Sequence, residues 1–367
     1  MSAPTPTATI TSSPTASASC AERVFGGMSE EQRVRQLFLV GLEGDELRPD
    51  LVAAIRADHF GSVWFVETTS VGVTGIRAVA DAVQALATPQ ATAGVRFFVA
   101  ANQEGGLIQA LRGSGFSTIP NGVDQGHLAP SVLKAEATEW GRQLAGAGVN
   151  MNFAPVMDVV PADAVADNQP IGVLKREYGN DPGTAGSHGA AFLRGMAQAG
   201  VATTAKHFPG LGHVQGNTDF TANVVDTVTG PDDPDLGSFR QAIGAGVPFV
   251  MVALATYTGI DPANLAAFSP TVMSLLRQGE SFSGVIVSDD LGETKAVADI
   301  PPGDRAVRFL SAGGDMIISK TLSPAVEMAG AVVAKAAADP AFRATVDGAA
   351  LLVLQAKAAA NLLPCSG

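Results

Sequence analysis

With 367 residues the chain is long enough for two average domains or one large α/β barrel, and hydrophobic residues at 46%, charged residues at 16% and 41 glycines exclude disorder for most of its length. A formal net charge of -12 with no Lys/Arg run excludes a nucleic-acid-binding face and argues against electrostatic attachment to anionic membranes or wall polymers. No stretch reaches the roughly 18 apolar residues that span a bilayer.

Residues 1–19 are almost entirely Ser, Thr, Pro and Ala, a composition that cannot bury enough apolar surface to fold. Residues 1–22 therefore read as a flexible stalk and residues 23–367 as one folded domain. The stalk lacks the basic and apolar regions of a signal peptide. Its end at Cys20 reads as the mature start of an exported protein, extracellular or bound to the cell envelope, with Met1 in place of a targeting segment; a lipid anchor at the native N-terminus is one expectation.

Taken in order, a helical start at Ser29–Arg35 leads to a first strand at Gln36–Gly41, a helix at Pro49–Asp58, a second strand at Ser62–Val66, an amphipathic helix near Val73–Leu86 and a third strand at Val95–Ala100. That strand empties into Asn102-Gln103-Glu104-Gly105-Gly106. A long loop and the helix Pro130–Ala147 precede a fourth strand at Asn150–Asp158, an irregular excursion to Pro182 and a helix at Thr184–Gln198. The fifth strand runs from the apolar Gly200–Thr204 into Lys206-His207, where Pro209-Gly210 stops it. Three further helix–strand units follow, with strands at Pro248–Leu254, Gly284–Ser288 and Asp315–Ser319. Two helices, Pro324–Ala337 and Phe342–Leu363, close the chain.

Eight apolar strands alternating with helices predict a single-domain (β/α)8 TIM-type barrel, because parallel strands buried on both faces read as continuous apolar runs. A doubly wound open sheet is the alternative, but no glycine-rich phosphate fingerprint follows the first strand. The polar residues also fall where a barrel needs them: Asn102 to Glu104, Asp158, Lys206, His207 and Asp289 all stand at strand carboxyl ends. A closed barrel brings its termini to one face, so a Cys20–Cys365 disulfide is expected, against two free thiols near frayed ends.

At that face, Ser288-Asp289-Asp290 carries at least one carboxylate to the rim of a buried strand, where neighbouring cations such as Lys206 and Arg176 keep an anion ionised and nucleophilic. Asp290 reads equally well as a helix cap, which leaves Asp289 unexplained. Lys206-His207 before Pro-Gly and Arg176 in its loop also have bland readings, as a solvated turn and a surface charge. No metal-ligand spacing, Ser-His-Asp elbow or phosphate loop is present, and no cofactor is expected. Acidic and hydrogen-bonding rim residues suit a neutral polyhydroxylated substrate and glycoside chemistry.

Four motifs then occur in the order and spacing of one family: Gln103-Glu104-Gly105-Gly106, NFAPVMD at Asn152–Asp158, KHFPGLG at Lys206–Gly212, and SDDLG at Ser288–Gly292 after GVIV. Over residues 23–363 the chain resembles glycoside hydrolase family 3, in particular its single-domain β-N-acetylglucosaminidases, actinobacterial lipoproteins among them. The resemblance implies a retaining exo-β-N-acetylglucosaminidase that removes terminal N-acetylglucosamine from cell-wall-derived glycans. It implies Asp289 as nucleophile, Lys206 and His207 as holders of sugar hydroxyls, and Arg176, ahead of Gly179-Asn180-Asp181-Pro182, as a substrate contact.

Two departures stand out. Asn102 takes the place of an Asp that would accept two hydroxyl protons, and Ala110 that of an Arg, which puts sugar specificity in question. Where the family's acetylglucosaminidases carry Asp-Ser-His, with the His as general acid/base, this chain has Asn217-Thr218-Asp219. Asp219 is the expected acid, with His213 in the same loop as the alternative donor. The rival readings are a catalytically impaired sugar-binding barrel, a family 3 β-glycosidase of different sugar specificity, and an intracellular recycling hydrolase.

Overall fold

The structure, a computed structural model, describes residues 18–365. Eight parallel strands close into a barrel: β1 (Phe38–Leu42), β2 (Ser62–Phe65), β3 (Phe98–Ala101), β4 (Met151–Asn152), β5 (Ala202–Phe208), β6 (Phe249–Val252), β7 (Val285–Asp290) and β8 (Met316–Ser319). Neighbours around the barrel are neighbours in sequence, and β8 closes on β1 through pairs such as Leu39 with Ile318. The (β/α)8 expectation therefore holds. Every residue of β1, β2, β3, β6 and β8 is buried, which is why these strands read as unbroken apolar runs.

The barrel interior is packed rather than hollow. Phe98 on β3 and Phe249 on β6, which are not adjacent strands, meet edge to face with ring centroids 5.4 Å apart. The helix Pro182–Gln198 starts where proline and a short polar residue coincide: Asp181 accepts a hydrogen bond from the Thr184 N–H at 2.9 Å and Pro182 opens the helix.

Three local readings need correction. The stalk extended to residue 22 overlaps a helix, Cys20–Gly27, whose capping box is made by Ser19 and Glu22 and whose Ala21 packs with Val95, Leu354 and Leu363; residues 1–17 lie outside the described part. The fourth strand is cut to two residues, since Pro155 removes a ladder donor. The loop after β3 contains a hairpin of Gln103–Gly105 with Ile108–Gln109, turned by Gly105 and Gly106 at φ of 119° and 56°. A small sheet of Val225–Asp226, Thr256–Tyr257 and Asp261–Leu265 also lies outside the barrel.

Cys20 and Cys365 are joined in a disulfide across a sequence separation of 345 residues. Closing so long a loop restricts the unfolded chain, so reduction is expected to lower stability by about 2–4 kcal/mol. Nonreducing peptide mapping should show one cross-linked pair of terminal peptides; two free thiols in protein made under oxidising conditions would contradict it.

Beneath the barrel, Lys357 on the last helix (Pro340–Ala359) is completely buried and donates to Gln36 Oε1 and the Gly61 carbonyl, both at 2.7 Å. Burial pushes its amine down to about 7 from 10.5. Below the folded value the lysine is charged in both states, and the folded state bears the desolvation cost. Between that value and the unfolded one only the unfolded chain holds the proton, so stability should rise with pH, by at most about 1.4 kcal/mol per unit. Comparing thermal unfolding of wild type and Lys357→Met from pH 6 to 10 isolates this: the difference should move in favour of wild type as pH rises. A pH-independent difference would remove the lysine as its source.

Candidate active site

The carboxyl ends of the barrel strands open into a cavity of about 270 Å³ whose lining includes Asn102, Arg176, Lys206, His207, Asp219 and Asp289. Consecutive strand residues normally point to opposite faces, yet Lys206 and His207 both reach this cavity, as do Asp289 and Asp290. In each case the ladder is irregular at that point. The pairing of β5 with β6 shifts between Ala205 and Phe208, and that of β7 with β8 shifts between Val287 and Asp290. Such irregularities re-aim side chains beside functional sites.

Glu104, in the hairpin after β3, is the centre of the charge arrangement. It accepts two 2.8 Å hydrogen bonds from Arg176, and Lys206 Nζ lies 2.6 Å away. Burial alone would raise its carboxyl; Arg176 and Lys206 overcome this and hold it at about 2. Burial lowers the Lys206 amine, against the pull of Glu104. The Arg176 guanidinium is held above its ordinary value because Glu104 outweighs its burial. Asp289 also acts on both cations. Glu104 is thus the close partner of both cations, and Asp289 lines the same cavity beside them.

Asp158 positions His207. Its Oδ2 is 2.7 Å from His207 Nδ1, and its Oδ1 accepts the backbone N–H groups of His207 and Leu211 at 3.1 and 2.8 Å. Burial opposes its ionisation, but His207 and these donors hold its carboxyl below the usual range. Nδ1 therefore donates to Asp158, and Nε2 faces Arg176 Nη2 at 3.4 Å. Lys206 also donates to Asn102 Oδ1 at 2.8 Å, which turns the Asn102 amide so that Nδ2 remains as a donor toward the cavity. Gln103 faces away from the cavity and exchanges hydrogen bonds with the Leu111 backbone.

Asp219 arrives on the loop after β5. Asn217 Oδ1 accepts its backbone N–H at 3.0 Å, and the loop docks on the turn after β7 through Lys295 N–H to the Asp219 carbonyl and Ala296 N–H to that of Thr218. Its side chain stays open to the cleft. Desolvation by the surrounding walls raises its carboxyl, repulsion by Asp289 adds to this, and Arg176 and His207 oppose it. Phe220 beside it is 81% exposed. Asp290 accepts backbone N–H groups of Gly292, Glu293 and Lys320 and so shapes the rim.

A sequence profile of the "Glycosyl hydrolase family 3 N terminal domain" matches residues 29–347. The chain is a member of glycosyl hydrolase family 3. A crystallised β-N-acetylhexosaminidase from Beutenbergia cavernae is 47% identical with a TM-score of 0.88, over 90% of this chain and 99% of that one. A β-hexosaminidase of Vibrio cholerae is 34% identical over 60% of this chain, which spans 64% of that relative. The β-hexosaminidase LpqI of Mycobacterium tuberculosis is 29% identical over 82% of this chain and 76% of its own.

Within this family 3 frame the structure separates the two donors proposed for the acid role. His213 lies outside the cavity, in a small recess with Val159 and Phe239, and pairs with Asp235 at 3.2 Å, which raises its imidazole. As an alternative acid it is misplaced, because it faces Asp235 in that recess and does not line the cavity. Two residues to which the sequence gave no role, Glu104 and Asp158, hold the site together. Their position at strand ends and within two of the four motifs was the signal; their pairing was not legible, since Arg176 and His207 lie 72 and 49 residues away in the chain.

Proposed function

We propose that this chain is a retaining exo-β-N-acetylglucosaminidase that releases terminal β-linked N-acetylglucosamine from cell-wall-derived glycans. The observation that carries this reading is two carboxyl groups on one cavity, Asp289 at the end of β7 on the wall shared with Arg176 and Lys206, and Asp219 with its carboxyl raised by burial and by Asp289. Asp289 attacks the anomeric carbon and forms a glycosyl ester as Asp219 gives its proton to the departing glycosidic oxygen. Asp219 then takes a proton from water, which attacks the same carbon and frees Asp289, so the β configuration is kept. The narrow cavity suits one terminal sugar ring, and the family 3 relatives named β-hexosaminidase support the sugar class.

The Cys20–Cys365 disulfide supports export to an oxidising compartment, and no helix among the described residues is long and apolar enough to cross a membrane. That disulfide occupies the sulfur a lipid on Cys20 would need, so we propose an exported protein without assigning an anchor to that residue.

The test is a panel of nitrophenyl β-glycosides. Turnover should be highest on the N-acetylglucosaminide. Preference for another sugar would point to the altered Asn102 position, and no turnover on any sugar would favour a sugar-binding barrel instead.

A further inference from the structure

Two loops deliver side chains to the cavity without a strand or helix to hold them. Residues 159–181, after β4, carry Arg176, and residues 209–224, after β5, carry Asp219; neither segment contains regular structure. Their relative placement therefore depends on what joins them. Resting on the glycosidase reading above and on the acid role of Asp219, we infer that Asn168 is a positioning residue for catalysis: it ties the turn that holds Arg176 to the base of the loop that carries Asp219, and so sets the acid's reach toward the bond being broken.

Asn168 is 1% exposed, and both ends of its amide are used. Nδ2 donates to the carbonyls of Leu211, Val214 and Gly212 at 2.7, 2.8 and 3.1 Å, all at the base of the acid loop. No other donor among the described residues reaches these three carbonyls. Oδ1 accepts the N–H groups of Ile171 and Gly172 at 3.0 and 2.9 Å, which closes a turn in the arginine loop. That turn holds Arg176 twice, by its N–H on the Ile171 carbonyl at 3.1 Å and by its Nη1 on the Pro170 carbonyl at 2.8 Å. The Gln169 N–H adds a backbone bond to the Gln215 carbonyl at 3.1 Å. The loops approach so closely here that a Cβ on Gly212 would stand 1.6 Å from the Val159 carbonyl oxygen.

Asparagine suits this place because one planar group offers two N–H donors and an acceptor, and here the donors serve one loop and the acceptor the other. Aspartate would keep the acceptor but set an oxygen against three carbonyl oxygens. The far end of the acid loop is held by longer bonds: Asp219 and Thr218 accept the N–H groups of Lys295 and Ala296 at 3.2 and 3.1 Å. The Asn168 bonds to Leu211 and Val214 are therefore the tighter attachment. Proton transfer needs donor and leaving oxygen within hydrogen-bond reach, and a misplacement of about 1 Å costs on the order of 10²-fold in rate. Releasing the base of the loop should fall on that proton transfer, while Asp289 on β7 keeps its place and Arg176 keeps its bonds to Glu104.

The experiment compares wild type, Asn168→Asp, Asn168→Ser and Asp219→Ala on phenyl and dinitrophenyl β-N-acetylglucosaminides, with a thermal melt of each protein. Asn168→Asp keeps the acceptor for Ile171 and Gly172 and removes the donor, so it cuts the tie between the loops. Its kcat/KM should fall about 30-fold on the phenyl substrate and less than about threefold on the dinitrophenyl one, which departs without a proton. Asn168→Ser keeps a shorter donor and should show the same split at smaller size. Asp219 lies in the field of Asp289, Arg176, His207 and Asp290, and a loosened carboxyl leaves the walls and the Asp289 charge that raise it. The fall of phenyl kcat/KM with rising pH should therefore begin at lower pH in Asn168→Asp than in wild type. A residue that only supports the fold would move neither the split nor the pH limb. Equal slowing of both substrates, no slowing of either, or loss of folding in both Asn168 variants would overturn the positioning role. No split in Asp219→Ala while wild type is active would overturn the acid assignment and this role with it, and a wild type inactive on both glycosides would overturn the glycosidase reading itself.

Discussion

Asp289→Ala is expected to lower turnover of an N-acetylglucosaminide by roughly 10⁴-fold or more, because the covalent path loses the atom that attacks the anomeric carbon. Stability should change little, by about 1 kcal/mol or less. The reason is visible in the ion network: Arg176 and Lys206 keep Glu104 as their close partner at 2.8 and 2.6 Å, so removing Asp289 strands no buried cation. Removal also relieves the repulsion with Asp219. Steady-state kinetics beside a thermal melt checks both halves. An Asp289→Ala protein within tenfold of wild type would remove the nucleophile, and one that fails to fold would show the carboxylate to be structural.

Asp219→Ala is expected to separate substrates by their leaving groups. A dinitrophenyl glycoside departs without a proton and should react in the first step almost normally, whereas a phenyl glycoside should slow by roughly 10²–10⁴-fold. Because the Asp219 carboxyl is raised, kcat/KM on the phenyl substrate should fall as pH rises through that raised value, and this limb should vanish in the variant. In wild type the anionic Asp219 of the second step repels phosphate, so added phosphate should yield no sugar phosphate. His213→Ala serves as the counterpart. If it reproduces the leaving-group split, or if Asp219→Ala slows both substrates equally, Asp219 is not the acid.

The barrel was legible because parallel strands buried on both faces leave a simple trace: FLVGL, SVWF and MIIS can hardly be anything but interior strands, and proline and capping residues mark the helices between them. The site was legible to the extent that its residues stand at strand ends. Pairwise relations were not, since Glu104 meets Arg176 and Lys206, and Asp158 meets His207, only after the barrel closes. The sequence favours Asp219 over His213 by its matched position alone, since both are polar residues of one loop. What parts them is the Asp235 partner that draws His213 outward and the Lys295–Ala296 turn that holds the Asp219 segment over the cavity. The helix Cys20–Gly27 was hidden differently, because the low-complexity run before it obscured a Ser19–Glu22 capping box that was there to be read.

On the proposed mechanism Asp289 becomes covalently bonded to N-acetylglucosamine during turnover. This step is tested most directly by incubating the protein with a 5-fluoro-N-acetylglucosaminyl fluoride, which forms the glycosyl ester faster than it is hydrolysed, and measuring the intact mass followed by peptide mapping. The expected result is a single added fluorinated sugar, located on Asp289 and absent from Asp289→Ala. An adduct on another residue, or none while the corresponding unfluorinated substrate is turned over, would contradict it.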